Sequence, residues 1–143
     1  MPSKTRLVTV KKFEMLGLNM KRITLHGKDL WDFPDGHEGS YVKLSFESAM
    51  DSPINGMREN RFCRRTFTVR DFRKEQLELD LDFLLHGDNG PASKWALKAK
   101  KNDPLEILGP GPAKIAPRDA SWYLFVGDMT ALPAIAVNLK KLR

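Results

Sequence analysis

Gln76-Leu77-Glu78-Leu79-Asp80-Leu81-Asp82-Phe83-Leu84-Leu85 decides the fold class. Leu77, Leu79, Leu81, Phe83 and Leu85 fall on one face, and Glu78, Asp80 and Asp82 on the other. Strand side chains alternate between two faces, so a period of two held this long predicts a strand and not a helix. Upstream segments agree. Leu7-Val8-Thr9-Val10 and Ile23-Thr24-Leu25 are short β-branched runs around a Gly17-containing turn. Val42, Leu44 and Phe46 alternate with Tyr41, Lys43 and Ser45, and Arg64 to Phe72 is rich in Thr, Phe and Val. Loops fall at Trp31 to Ser40 and Asp51 to Asn60, by their Pro, Gly and Asp content. Several short strands with turn signals between them predict an antiparallel barrel or sandwich.

Downstream the pattern changes. Pro91 to Lys100 reads as a helix, with Pro91 in the first turn and Lys98, Lys100 and Lys101 at the end that favours positive charge. Leu105 to Leu108 is a short strand, and Gly109-Pro110-Gly111-Pro112 opens a linker. Trp122-Tyr123-Leu124-Phe125-Val126 is continuously apolar, as in a strand buried on both faces of a parallel sheet. Gly127-Asp128-Met129-Thr130 then turns into a helix over Ala131 to Leu142. The expected organisation is a mainly β domain with one capping helix over residues 1–117. Residues 118–143 form the first βα unit of an incomplete α/β domain.

The bulk numbers bound the function. The chain has 143 residues with 41% hydrophobic and 29% charged content, suited to a globular domain with a real core. No apolar run approaches the roughly 20 residues of a membrane helix. The N-terminus has no signal-peptide core. A soluble, cytoplasmic protein without a membrane partner is expected. The net charge of +6 suits an anionic ligand without choosing one. Cys63 stands alone, and His26, His37 and His86 are scattered, so no disulfide or metal centre is expected.

Three short motifs can carry chemistry. In Arg65-Thr66-Phe67-Thr68, a cation, an aromatic and hydroxyls lie within four strand residues, with Arg65 and Phe67 on one face. A flavin nucleotide asks for those three groups, although Phe67 equally suits a core. Gly90-Pro91-Ala92-Ser93 begins a helix, where free N–H groups and the dipole favour an anion. An ordinary capped helix is the plainer reading. Gly127 to Pro133 is a turn from strand to helix, the place where α/β domains hold phosphates. It lacks the Gly-x-Gly-x-x-Gly fingerprint, and Asp128 opposes direct phosphate contact.

The order of these motifs resembles the ferredoxin-reductase superfamily, and within it the siderophore-interacting protein family. Four stretches carry the resemblance: Arg65 to Arg70, Asp82 to Ala96, Leu108 to Gly111, and Trp122 to Ile135. It covers nearly the whole chain but only the front half of a family member. It implies an antiparallel FAD-binding β-barrel followed by the start of an NAD(P)H-binding domain. It implies FAD as cofactor, NAD(P)H as donor and a ferric siderophore as substrate, reduced to release Fe(II). By that resemblance Arg65 pairs with FAD phosphate, and Phe67 lies against the isoalloxazine, where many relatives carry Tyr. Thr66 lies between them, and Thr68 bonds the ring edge. His86 and the turn Gly90, Pro91, Ala92 and Ser93 hold the ribityl and pyrophosphate region, with Trp95 closing the motif. Asp128 and Thr130 face the flavin or nicotinamide from the second domain. Met129 departs from the family's Glu.

Two other readings compete. One keeps FAD binding but loses reductase activity, with self-association through exposed Trp122 to Val126. The other is a basic barrel that binds nucleic acid through Arg58, Arg61, Arg64, Arg65, Arg70 and Arg73. The acidic row Glu78, Asp80 and Asp82 argues against it.

Overall fold

The structure is a computed structural model that describes residues 4–48, 61–87 and 90–143. The loop expected over residues 51–60, with Arg58, and the Asp88-Asn89 pair lie outside the described residues. Among the described residues seven strands form: β1 (Thr5–Met15), β2 (Met20–His26), β3 (Tyr41–Ser48), β4 (Arg61–Thr68), β5 (Asp71–Arg73), β6 (Glu78–Leu84) and β7 (Pro104–Leu108). The described residues also form two α-helices, α1 (Pro91–Lys98) and α2 (Leu132–Leu142). All ladders are antiparallel, in the order β4-β3-β7-β1-β2-β6-β5.

The mainly β antiparallel class is as expected, but the sheet is not closed. It curls until β4 and β6 face each other, with the Phe67 and Phe83 rings 4.4 Å apart, yet no ladder joins them. The single strand expected over Arg64 to Phe72 breaks at Val69 and Arg70, and the three-residue β5 pairs only with β6. That break leaves an unsealed seam between β4 and β6.

The alternating apolar residues meet inside the curl. Val8, Val10, Ile23, Leu25, Val42, Leu44, Leu79, Leu81, Phe83, Leu105 and Ile107 form one buried cluster, each contributing roughly 1.5–3 kcal/mol. Phe46 and Phe83 each meet Trp95 of α1, at 5.8 and 5.6 Å, and so seat that helix over one end of the core.

The opposite face of β6 is not a solvated polar face. Glu78 and Asp80 are buried. Arg73 donates to both carboxylates at 2.8–3.1 Å, Thr24 donates to Asp80 at 2.7 Å, and Lys11 pairs with Glu78. Burial alone would raise the Asp80 carboxyl. The bonds from Arg73 and Thr24, with the Arg73 and Arg22 charges, outweigh it and hold Asp80 below its ordinary range. Lys11 first, then Arg73, lower Glu78 against the upward push of its burial.

The C-terminal segment departs most from expectation. No strand forms at residues 122–126, and Trp122, Leu124 and Val126 are exposed. A strand buried on both faces needs a neighbour on each side. Among the described residues, every ladder belongs to the antiparallel sheet and none reaches this segment. The helix that follows forms as expected, one residue shorter, after a 3-10 turn at Met129–Ala131.

A clasp holds α2 against the sheet domain. The buried Asn138 accepts from the Ala116 N–H at 2.7 Å and donates to the Lys114 carbonyl at 3.1 Å. Lys141 donates to the carbonyls of Gly36 and Glu38 at 3.1 and 2.9 Å. Gly39 has φ +86, and a Cβ there would meet Ile115 at 2.7 Å and Val137 at 3.1 Å, so the close approach depends on glycine.

Candidate flavin site at the open seam

The seam holds a cleft of about 470 Å3 lined by Arg65, Thr66, Phe67, Thr68, Asp82, Leu84, His86, Gly90, Pro91, Ala92, Ser93, Thr130 and Pro133. Three segments distant in sequence build it. β4 brings Arg65 to Thr68, the end of β6 with the start of α1 brings Asp82 to Ser93, and the turn into α2 brings Thr130 and Pro133.

On β4, Arg65 pairs with Leu44 and Phe67 with Val42, so the arginine and the ring share the face toward the core. Phe67 is half-buried and rests on Phe83, which rests on Trp95. Arg65 is exposed, and its hydrogen bond goes only to the neighbouring Arg64 carbonyl at 3.0 Å. Thr66 and Thr68 point to the other side of the strand, beside the cleft mouth.

The α1 start is held by a serine. Ser93 is buried. Its hydroxyl donates to the Gly87 carbonyl at 2.8 Å and accepts from the His86 N–H at 3.1 Å. It therefore serves the loop from inside, and its hydrogen is committed. The first intrahelical bond runs from the Lys94 N–H to the Gly90 carbonyl at 2.9 Å. Pro91 has no N–H, which leaves those of Ala92 and Ser93 facing outward from the helix start. Gly90 lies under the His86 ring, where a Cβ would stand 3.3 Å from Cε1.

The structure thus gathers ten of the twelve residues singled out from the sequence into one cleft. Trp95 stands behind it as support for Phe83 and Phe46. Asp128 does not line it. Its carboxylate accepts from the Thr130 N–H and hydroxyl at 2.9 and 2.5 Å, which hold it below the ordinary carboxylate range. Asp128 thereby fixes Thr130, which does line the cleft.

Asp82, Leu84 and Pro133 were not singled out. Asp82 reads in sequence as one member of the acidic row. In the structure Arg22 grips it with two bonds of 2.7 and 2.9 Å, and Arg70 stands 4.0 Å away. The register Arg22↔Asp82 across β2 and β6 sets this pair, and such cross-strand register is absent from local sequence. Of the arginines weighed for nucleic acid, Arg70 and Arg73 face carboxylates, while Arg64 and Arg65 are exposed. The Arg61 side chain, like Arg58, lies outside the described residues.

These groups fit a phosphate-bearing flavin. Arg65 supplies a guanidinium that pairs with no carboxylate among the described residues and α1 two amides without an intrahelical partner, Phe67 offers an apolar ring, and the threonines offer hydroxyls. An antiparallel sheet curled around a core, with a cleft of this kind at its seam, defines a flavin-binding domain of ferredoxin-reductase type. Solved ferredoxin reductases share the fold at TM-scores of 0.54 and 0.52 with 17% and 16% identity, a likeness of fold alone.

The chain belongs to the siderophore-interacting FAD-binding domain family, whose pattern matches residues 9–114. It is 34% identical over 146 residues to ferric vibriobactin reductase ViuB of Vibrio cholerae, covering 96% of this chain and 54% of that protein. It is 29% identical to the NADPH-dependent ferric-chelate reductase of Escherichia coli, covering 96% of this chain and 57% of that protein. The crystal structure of the siderophore-interacting protein SipS from Aeromonas hydrophila superposes with a TM-score of 0.79 at 38% identity, covering 99% of this chain and 55% of that one. The chain spans about half the length of these relatives.

Proposed function

We propose that this chain holds FAD in the seam cleft and serves the reduction of a ferric siderophore with electrons from NAD(P)H. The observation that carries this is the convergence of Arg65 to Thr68, the α1 start and Thr130 on one cleft. The relatives named as ferric vibriobactin and ferric-chelate reductases support the substrate class.

In this reading Arg65 and the amides of Ala92 and Ser93 neutralise the phosphates. Phe67 backs the isoalloxazine, with Phe83 and Trp95 preventing it from giving way. Thr68 and Thr66 bond the ring edge, and His86 over Gly90 shapes the ribityl passage. Thr130 and Pro133 close the cleft from the C-terminal side, and Asp128 orients Thr130. Bound flavin supplies acceptance of a hydride and release of single electrons, and the protein supplies position and electrostatics. No residue of the cleft has to act as nucleophile or general base. Iron leaves because Fe(II) is held weakly by a chelator suited to Fe(III). Residues 1–117 then form the flavin domain and residues 118–143 the beginning of the nicotinamide domain.

A second reading, flavin binding without turnover, is favoured by one observation: residues 122–126 make no ladder. Two measurements test both. Flavin bands retained through desalting after FAD addition are expected; their absence overturns FAD binding. Anaerobic bleaching of the bound flavin by NADPH supports the reductase reading, and retained flavin that never bleaches assigns this chain to binding alone.

A further inference from the structure

We infer that the β1–β2 hairpin is a membrane-contact finger that seats on an anionic bilayer surface. The inference stands apart from the flavin proposal, because the finger lies at the opposite end of α1 from the cleft. Val10 is the last buried residue of β1, and every residue from Lys11 to Asn19 is exposed. The hairpin is nonetheless ordered. Its ladder runs through Phe13↔Ile23 and Met15↔Lys21, and the Leu16 N–H donates to the Met20 carbonyl at 2.8 Å.

The tip is apolar. Phe13, Met15, Leu16 and Leu18 are 49%, 52%, 43% and 94% exposed. A single exposed leucine is ordinary, but four large apolar residues within six positions on a projecting turn are not.

The base is basic. Lys21 donates to the Ala96 carbonyl at 2.6 Å, with its ammonium 4.0 Å from the Phe13 ring centre. Asn102 and Asp103 bond Val10 at 2.8 and 3.0 Å. These bonds bring the end of α1 and the following loop, with exposed Lys98, Lys100 and Lys101, to the foot of the finger beside Lys12. Among the described residues, no carboxylate pairs with any of those four lysines. Of the nearby acids, Glu78 is taken by Lys11, the Asp103 carboxylate accepts the Lys100 N–H, and Glu14 remains exposed.

An apolar tip above a ring of lysines matches a bilayer interface, where the tip enters the acyl boundary and the lysines meet anionic headgroups. The apolar side chains project from a two-stranded turn with lysines at its foot, the arrangement that an anionic bilayer surface complements. The absence of a spanning segment does not oppose this: no helix of the described residues is long and apolar enough to cross a membrane, and surface contact needs none.

Vesicle co-sedimentation tests the inference. The chain should pellet with phosphatidylcholine vesicles containing phosphatidylglycerol and not with phosphatidylcholine alone. Raising salt from about 0.1 M to about 1 M should release it, as the screening length falls from about 10 Å to about 3 Å. Leu18→Asp should lower the vesicle partition constant about tenfold or more. Lys100→Gln and Lys101→Gln should each lower it about fivefold. FAD binding measured alongside should not change in any variant. Failure to pellet with either vesicle overturns the inference, as does pelleting that Leu18→Asp leaves intact. A dimer in light scattering that Leu18→Asp dissolves, without vesicle binding, reassigns the tip to self-association and equally overturns it.

Discussion

Arg65→Ala separates cofactor binding from folding more cleanly than any other change in the cleft. Arg65 is exposed and its hydrogen bond reaches only the adjacent Arg64 carbonyl, so the apo fold should shift by no more than about 0.5 kcal/mol. A hydrogen bond to a charged partner contributes about 1.5–3 kcal/mol, so losing the phosphate contact should weaken FAD binding about 10- to 150-fold. Thermal melts with and without FAD read both terms. At an FAD concentration of about 100 times the native Kd, binding adds about 2.7 kcal/mol of stability. A variant weakened about 30-fold keeps only about 0.9 kcal/mol of that, and its FAD-induced rise in Tm should be smaller by about 4–8 °C. Arg65→Lys should fall between, because an ammonium keeps the charge but loses the planar fork. Direct titration by flavin fluorescence should give the same ranking. An apo Tm that falls while Kd stays within about twofold of native would refute the assignment, since it would make Arg65 structural.

Three further perturbations test the supporting structure. Arg73→Leu strips Asp80 and Glu78 of their shared cation while Thr24 and Lys11 remain, so urea unfolding near neutral pH should show a loss of about 2–3 kcal/mol. Both carboxyls are depressed in the fold, so this stability is present above the unfolded carboxylate range and vanishes as pH falls through the folded values. The gap between native and variant should therefore narrow below about pH 4; a gap that is constant with pH would contradict the depressed carboxyls. Ser93→Ala removes one donor and one acceptor from the His86–Gly87 loop and should cost about 1–3 kcal/mol, measured by the same unfolding. Asn138→Leu should release the linker at Lys114 and Ala116. FAD affinity should then drop a few-fold through looser Thr130 and Pro133, with near-native hydrogen-exchange protection in β2 and β6.

What was legible in the sequence followed the range of the interactions involved. β6 showed itself because its alternation is local, and Leu79, Leu81 and Phe83 do face the core. The cleft showed itself because Arg65 to Thr68 and Gly90 to Ser93 are each contiguous, so their chemistry could be read before their meeting was known. The strand order was not legible, since pairings such as Arg22 with Asp82 join residues sixty positions apart. The burial of Glu78 and Asp80 was hidden for the same reason: their covering cations come from β1, β2 and β5. Residues 122–126 misled because a continuous apolar run states only a demand for burial. Whether the demand is met depends on neighbouring strands, and among the described residues none pairs there.

The open seam and the buried acidic row are connected. β5 carries Arg73 to Glu78 and Asp80, and the break at Val69 and Arg70 that starts it also ends β4. That break keeps β4 from zipping onto β6 and leaves the cleft between them. It also places Arg70 near Asp82, the one carboxylate among the described residues of the cleft wall. Asp82 alone would repel a diphosphate, but Arg22 and Arg70 beside it turn the local charge of the three groups from −1 to +1. Arg65 on one wall and the positive end of α1 on the other give the seam two walls that favour an anion. The net charge of +6 says nothing of where attraction acts, because most arginines near β6 are consumed by carboxylates. Arg65 and the start of α1 meet no carboxylate among the described residues, and these are the groups that line the cleft.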